Sequence, residues 1–171
     1  MNRSQAFVVL GMALAVLALL ALWRLAPDLS FARPETADTA ARLAFAAHWL
    51  LVPGFCLLAG IGAAANRRFF IPDAIDGNPR TDNRALDINL RYNRNTLEQT
   101  VLAAIAWLGL ALALPESRLA LIPELAVVFA AGRALFWAGY LFAPWARAFG
   151  FGLTFYPTVA AYIWLVWRAF A

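Results

Sequence analysis

Five long apolar runs, at 6–25, 43–65, 96–114, 119–143 and 151–167, alternate with polar stretches along the chain. Each approaches or exceeds the ~20 residues an α-helix needs to cross ~30 Å of hydrocarbon. The runs are continuous, unlike the alternating ~9–11-residue strands of a membrane barrel. A helix closes its backbone hydrogen bonds within one segment, so the pattern predicts five membrane-spanning helices. The first run, preceded by Arg3, has the look of a secretory signal. Its apolar part of ~18 residues exceeds the ~7–15 of a signal core. It also ends in Trp23-Arg24, an interfacial pair, so it is read as a retained helix.

The polar stretches set the order of the spans. Residues 26–42 form a link with Pro27 and Pro34, and 66–94 form the largest polar segment, with turn chemistry at Asp76-Gly77-Asn78-Pro79. The link at 115–118 is short, which makes the third and fourth spans antiparallel neighbours, and the link at 144–150 is also short. Gly54, Ala59, Gly60, Gly62, Ala63 and Ala64 give the second span a small-residue surface suited to close helix approach.

Composition agrees with a membrane protein. Of 171 residues 63% are hydrophobic, against ~45–50% in a soluble domain. Mean hydropathy is +0.67. The net charge of +4 comes entirely from arginine on the basic side, since lysine is absent. Six arginines lie in 66–94: Arg67, Arg68, Arg80, Arg84, Arg91 and Arg94. That clustering reads as membrane orientation and not as a nucleic-acid surface. It predicts a cytoplasmic 66–94 loop in a multi-pass protein of bacterial inner-membrane type, with the C-terminus outside. One cysteine, Cys56, and one histidine, His48, supply neither a disulfide framework nor a metal set.

Two polar stripes carry the candidate chemistry. Arg91, Arg94, Asn95 and Glu98 follow the spacing i, i+3, i+4, i+7, which assigns them to one helical face leading into the third span. On the fourth span Arg133, Phe136 and Tyr140 repeat that spacing, and Arg133 has only apolar neighbours in sequence. A charge near the middle of a span costs ~2.5–3.5 kcal/mol, so Arg133 needs a partner. Glu98 is the candidate, as an ion pair across helices that could be purely structural. The other reading is a site for a small charged molecule at the cytoplasmic mouth. Guanidinium forks suit carboxylates, the glutamate suits an ammonium, and Asn95 both donates and accepts.

"RYNRNTLE" ahead of an apolar helix, followed by "GRALFWAGYLFAPWARAFGFGL", resembles the MAPEG family, the membrane-associated proteins of eicosanoid and glutathione metabolism. The second motif contributes Arg133, Gly139-Tyr140, Arg147 seven residues on, and Gly150-Phe151. The resemblance covers roughly 43–170. It implies an all-α MAPEG-type four-helix transmembrane bundle over 43–171, with 1–42 as an additional N-terminal helix and link. It further implies a homotrimer in the lipid bilayer, with glutathione between subunits as cosubstrate. By this resemblance Arg91 or Arg94, Asn95 and Glu98 hold glutathione's polar ends. Tyr140 adds a hydrogen bond, Arg133 is counted with the binding residues, and Arg147 stabilises the thiolate as the catalytic residue. The implied activity is glutathione transfer or peroxide reduction on lipophilic small molecules arriving from the bilayer.

Three features depart from the family pattern: the extra span, a phenylalanine (Phe136) where many members carry tyrosine, and a longer 66–90 loop. They leave room for an alternative, a non-catalytic member whose charged stripes lock the bundle or bind anionic lipid. A transporter is disfavoured by the lack of an internal repeat.

Overall fold

The computed structural model describes residues 2–25, 38–71, 75, 83–143 and 145–171, the side chains of Trp23 and Leu25 excepted. Six helices account for most of them: α1 (Arg3–Leu25), α2 (Thr39–Trp49), α3 (Leu51–Phe69), α4 (Arg84–Ala113), α5 (Leu121–Phe142) and α6 (Arg147–Phe170). Helices α2 and α3 follow one another across a single residue, Leu50, and together make one span. Pro53 explains the break, because it has no N–H to offer the carbonyl four residues back. Five spans result, matching the five apolar runs. The expected turn at 76–79 and most of the 26–42 link lie outside the described residues.

Local chemistry places the ends. Asp38 caps α2 by accepting from the Ala41 N–H at 2.9 Å. Asn83 caps α4 by accepting from the Leu86 N–H at 3.0 Å. These caps satisfy donors that a helix start leaves open. Helix α4, 30 residues long, reaches about 45 Å. It therefore starts well inside the polar loop and carries that loop's last arginines up to the membrane. Its far end is capped by Arg42, whose Nη1 donates to the carbonyls of Ala111 and Leu114 at 3.2 and 2.8 Å. A 3₁₀ turn at Glu116–Arg118 then reverses the chain into α5.

The bundle is held by glycine-mediated approach. Gly132 and Gly150 bring α5 and α6 nearly backbone to backbone: a methyl on Gly132 would stand 3.1 Å from the Gly150 carbonyl. A methyl on Gly60 of α3 would collide with Tyr92 and Asn93 of α4. Of the small-residue surface on α3, Gly60 and Ala64 are buried in this way, while Gly54 and Gly62 face open space. One core, around Trp107, Leu110, Ile122 and Phe129, fills the end near the Glu116–Arg118 turn. A second, of Ile88, Tyr92, Phe136 and Tyr140, fills the end where α4 and α6 begin. Helix α1 lies at the periphery, most of its surface exposed, with α6 as its principal neighbour.

Candidate functional site

The loop end of the bundle brings Asn95, Arg133, Tyr140 and Arg147 into two layers and leaves Arg91, Arg94 and Glu98 on the outer side of α4. The inner layer centres on Arg133, which is 0% exposed. Its Nη1 donates to Asn95 Oδ1 at 2.8 Å and its Nη2 to Thr154 Oγ1 at 2.7 Å. The guanidinium also sits over the Phe136 ring, 4.5 Å from the centroid, and 5.8 Å from that of Phe129. The Thr154 hydroxyl donates in turn to the Phe151 carbonyl at 3.0 Å. A network of helices α4, α5 and α6 thus holds one buried cation through neutral oxygens and ring faces.

Within a subunit, this arrangement corrects the expected Arg133–Glu98 pair. Among the described residues no carboxylate hydrogen-bonds Arg133. Glu98 instead accepts from Arg94 Nε at 3.4 Å, one turn back on its own helix. The reason is helix rotation. Residues three apart differ by ~60° around the axis, and α4 is turned so that Asn95, not Glu98, meets Arg133 of α5. The buried neighbours Tyr92, Thr96 and Gln99 turn Asn95 inward. Glu98, Leu97 and Val101 are left on the outside. The four-residue stripe therefore splits. Arg91, Arg94 and Glu98 are exposed, and Asn95 is half-buried. Arg91 pairs with Asp87 at 3.0 Å along the outer face.

The outer layer is built on Tyr140 and Arg147. The expected link at 144–150 is shorter than the sequence suggested, because Arg147 is already the first residue of α6. Gly139 permits this, since its Cα lies against the backbone of Ala146 and Arg147. Arg147 then folds back over the end of α5. Its Nη1 donates to Tyr140 Oη at 2.7 Å, and its Cζ lies 4.8 Å from the Tyr140 ring centroid. The remaining guanidinium donors of this half-exposed side chain have no protein acceptor among the described residues. Tyr140 shares its core with Ile88 and Tyr92 of α4, so Arg91 sits at the same level of the bundle.

Several residues here escaped sequence reasoning. The Tyr92 hydroxyl donates to the Cys56 carbonyl at 3.1 Å, and its ring stacks on Trp137 at 4.6 Å. Trp137 Nε1 donates to the buried Asn89 Oδ1 at 3.2 Å. Thr154 was a polar residue in an apolar run and so carried a usable signal. Asn89 and Trp137 offered none, because their pairing depends on the rotation of two helices. Among the described residues no group of three or more His, Cys, Asp or Glu side chains could hold a metal.

Spans, glycine seams and a buried arginine network define a multi-pass helical membrane protein with a charged mouth at one end. The family model described as the MAPEG family matches residues 42–167, and the chain belongs to that family. Among curated proteins it is similar to Transmembrane protein 79 of Mus musculus, 31% identical over 94 residues. The protein of the same name from Bos taurus is 31% identical over 88 residues. These matches cover 55% and 52% of this chain but only 23% and 22% of the relatives. The chain thus spans under a quarter of their length. No solved structure matches it.

Proposed function

We propose that this protein is a membrane-bound, glutathione-dependent transferase or peroxidase that acts on lipophilic electrophiles, with Arg147 setting the thiolate. The observation that carries this is the Arg147–Tyr140 pair. A guanidinium is fixed by one hydrogen bond and one ring contact while keeping donors open at the mouth of the bundle. A purely structural arginine would be expected to use its fork on carbonyls, as Arg42 does.

The donor set fits glutathione, which has two carboxylates, one ammonium and one thiol. Exposed Arg91 and Arg94 offer guanidinium forks to carboxylates, Glu98 offers an oxygen pair to the ammonium, and half-buried Asn95 stands behind them. Arg133 acts on that layer through Asn95, which it orients. When bound, glutathione supplies the nucleophilic sulfur for addition to an electrophile or reduction of a peroxide. The chain's part is to bind its polar ends, to keep Arg147 beside the sulfur and to admit the second substrate from the bilayer. An opposite charge nearby lowers a pKa by ~1–3 units. A thiol that ordinarily titrates near ~8.5 then ionises near neutral pH.

The proposal includes a homotrimer with the 66–94 loop in the cytoplasm. Support comes from the outer face of α4, where Arg94 and Glu98 lead into exposed Leu97, Val101 and Ile105. In a lone subunit that polar pair would be turned towards lipid. In a trimer it faces a neighbouring copy and can help form the glutathione site.

Titrating purified protein in detergent with glutathione, while following thiolate ultraviolet absorbance, tests the reading. Wild type should develop the thiolate band. Arg147→Ala should lose it while retaining glutathione, and Arg91→Ala should weaken binding. A full band in Arg147→Ala, or no binding by wild type, favours the alternative of a non-catalytic family member whose charges are structural or hold anionic lipid.

A further inference from the structure

Helix α1 meets the bundle along one narrow seam, and that seam runs beside Arg147. Phe7 stacks on Trp145, with ring centroids 4.4 Å apart and planes 21° from parallel. One turn on, Gly11 lies so close to α6 that a methyl there would stand 3.3 Å from Ala148 Cβ and 3.2 Å from the Phe149 nitrogen. Another turn on, Ala15 is fully buried, and a methyl on Gly152 would come within 2.7 Å of its Cβ. Phe7, Gly11 and Ala15 follow i, i+4, i+8, so one face of α1 runs parallel to residues 145–152, the turn before α6 and its first residues. The opposite face, with Val9, Leu10, Leu17 and Leu20, is exposed.

The start of α6 needs external support. Its N-cap is Ala146, which provides no side-chain cap, so the first N–H groups of α6 gain no capping acceptor. The backbone turn, with Ala146 N–H on the Ala143 carbonyl at 2.9 Å and Ala148 N–H on the Trp145 carbonyl at 3.1 Å, is short. On the inner side Gly139 abuts the Arg147 backbone. On the outer side, among the described residues, Phe7 and Gly11 of α1 rest on Trp145, Ala148 and Phe149.

We propose that α1 is a positioning clamp: the Phe7–Trp145 stack and the Gly11 seam press the start of α6 onto α5 and so hold the Arg147 guanidinium on Tyr140. Phe7 and Trp145 are positioning residues that touch no substrate. The functional half of this inference rests on the thiolate role proposed for Arg147. The mechanical half stands apart from it. The extra helix thereby has a task within the site's architecture, though it lies outside the family-matched residues 42–167.

Phe7→Ala and Phe7→Trp test the clamp. Phe7 is 44% exposed at the edge of the molecule, so truncating it leaves both cores intact. Backbone amide exchange is measured without ligand, and thiolate absorbance and glutathione affinity with it. In Phe7→Ala, exchange at 145–149 should rise about tenfold while the middle of α4 and α5 stays unchanged. The thiolate signal at neutral pH should fall about tenfold, with glutathione affinity within about twofold of wild type, since the displaced group serves the sulfur and not the polar ends. Phe7→Trp should restore both. Unchanged exchange overturns the clamp. Faster exchange with an intact thiolate signal overturns its link to Arg147. A wild type without a thiolate signal overturns the glutathione reading and the functional half with it, while the exchange result still decides the mechanical half.

Discussion

Arg133 shows how a buried cation can be held without a carboxylate. Its charge is buried among neutral oxygens and aromatic faces, a setting in which each lost partner leaves part of a cation unsatisfied. Asn95→Leu should therefore destabilise the detergent-solubilised protein by about 1.5–3 kcal/mol, the range for hydrogen bonds to charged groups. Arg133→Met combined with Asn95→Leu should cost less than the sum of the two single changes, because neither group is then stranded. Thermal and denaturant unfolding measure both. Glu98→Gln should leave unfolding of the single chain almost unchanged, since its pair with Arg94 is exposed there and lies on one helix. A large loss in Glu98→Gln would return the buried-pair idea to life. At this scale the sequence was half legible. It showed that Arg133 had to find a partner, because no polar neighbour accompanies it along α5. It did not show which partner, because Asn95 and Glu98 are separated only by the rotation of α4.

Helices were far easier to read than contacts. Continuous apolar runs report span lengths directly, and all five spans appear where the hydropathy placed them. Helix ends were less clear: α4 begins twelve residues before its apolar run, drawn out by the Asn83 cap and by Asp87 in its first turn. Arg147 likewise moved from a link to a helix start because Gly139 lets α6 begin directly against α5. That contact gives a clear test. Gly139→Ala must push a methyl into the Arg147 backbone, and should cost about 1–3 kcal/mol by overpacking. It should also reduce the thiolate signal. Gly62→Ala has open space around it in the single chain. It should stabilise α3 slightly, by up to about 1 kcal/mol of helix propensity. Circular dichroism melts of the two variants should move in opposite directions.

The molecule as a whole has two unlike flanks. One is closed by α1, which lies along α6. The other presents the outer face of α4, with Arg94, Leu97, Glu98, Val101 and Ile105. If the proposed trimer forms through the second flank, native mass spectrometry in mild detergent should show three copies. Leu97→Trp should shift that distribution to single chains while helicity is kept. A wild type that stays monomeric in lipid nanodiscs would count against it. The Arg133 network also bears on how the chain enters the membrane during synthesis. Helix α5 carries an uncompensated charge at the moment it leaves the translocon, and its acceptors come from α4, already made, and from α6, not yet made. Asn95 can be engaged at once, whereas Thr154 emerges about twenty residues later. Nascent α5 is therefore expected to linger beside the insertion machinery until α6 arrives, so that the last three spans integrate as one cooperative unit.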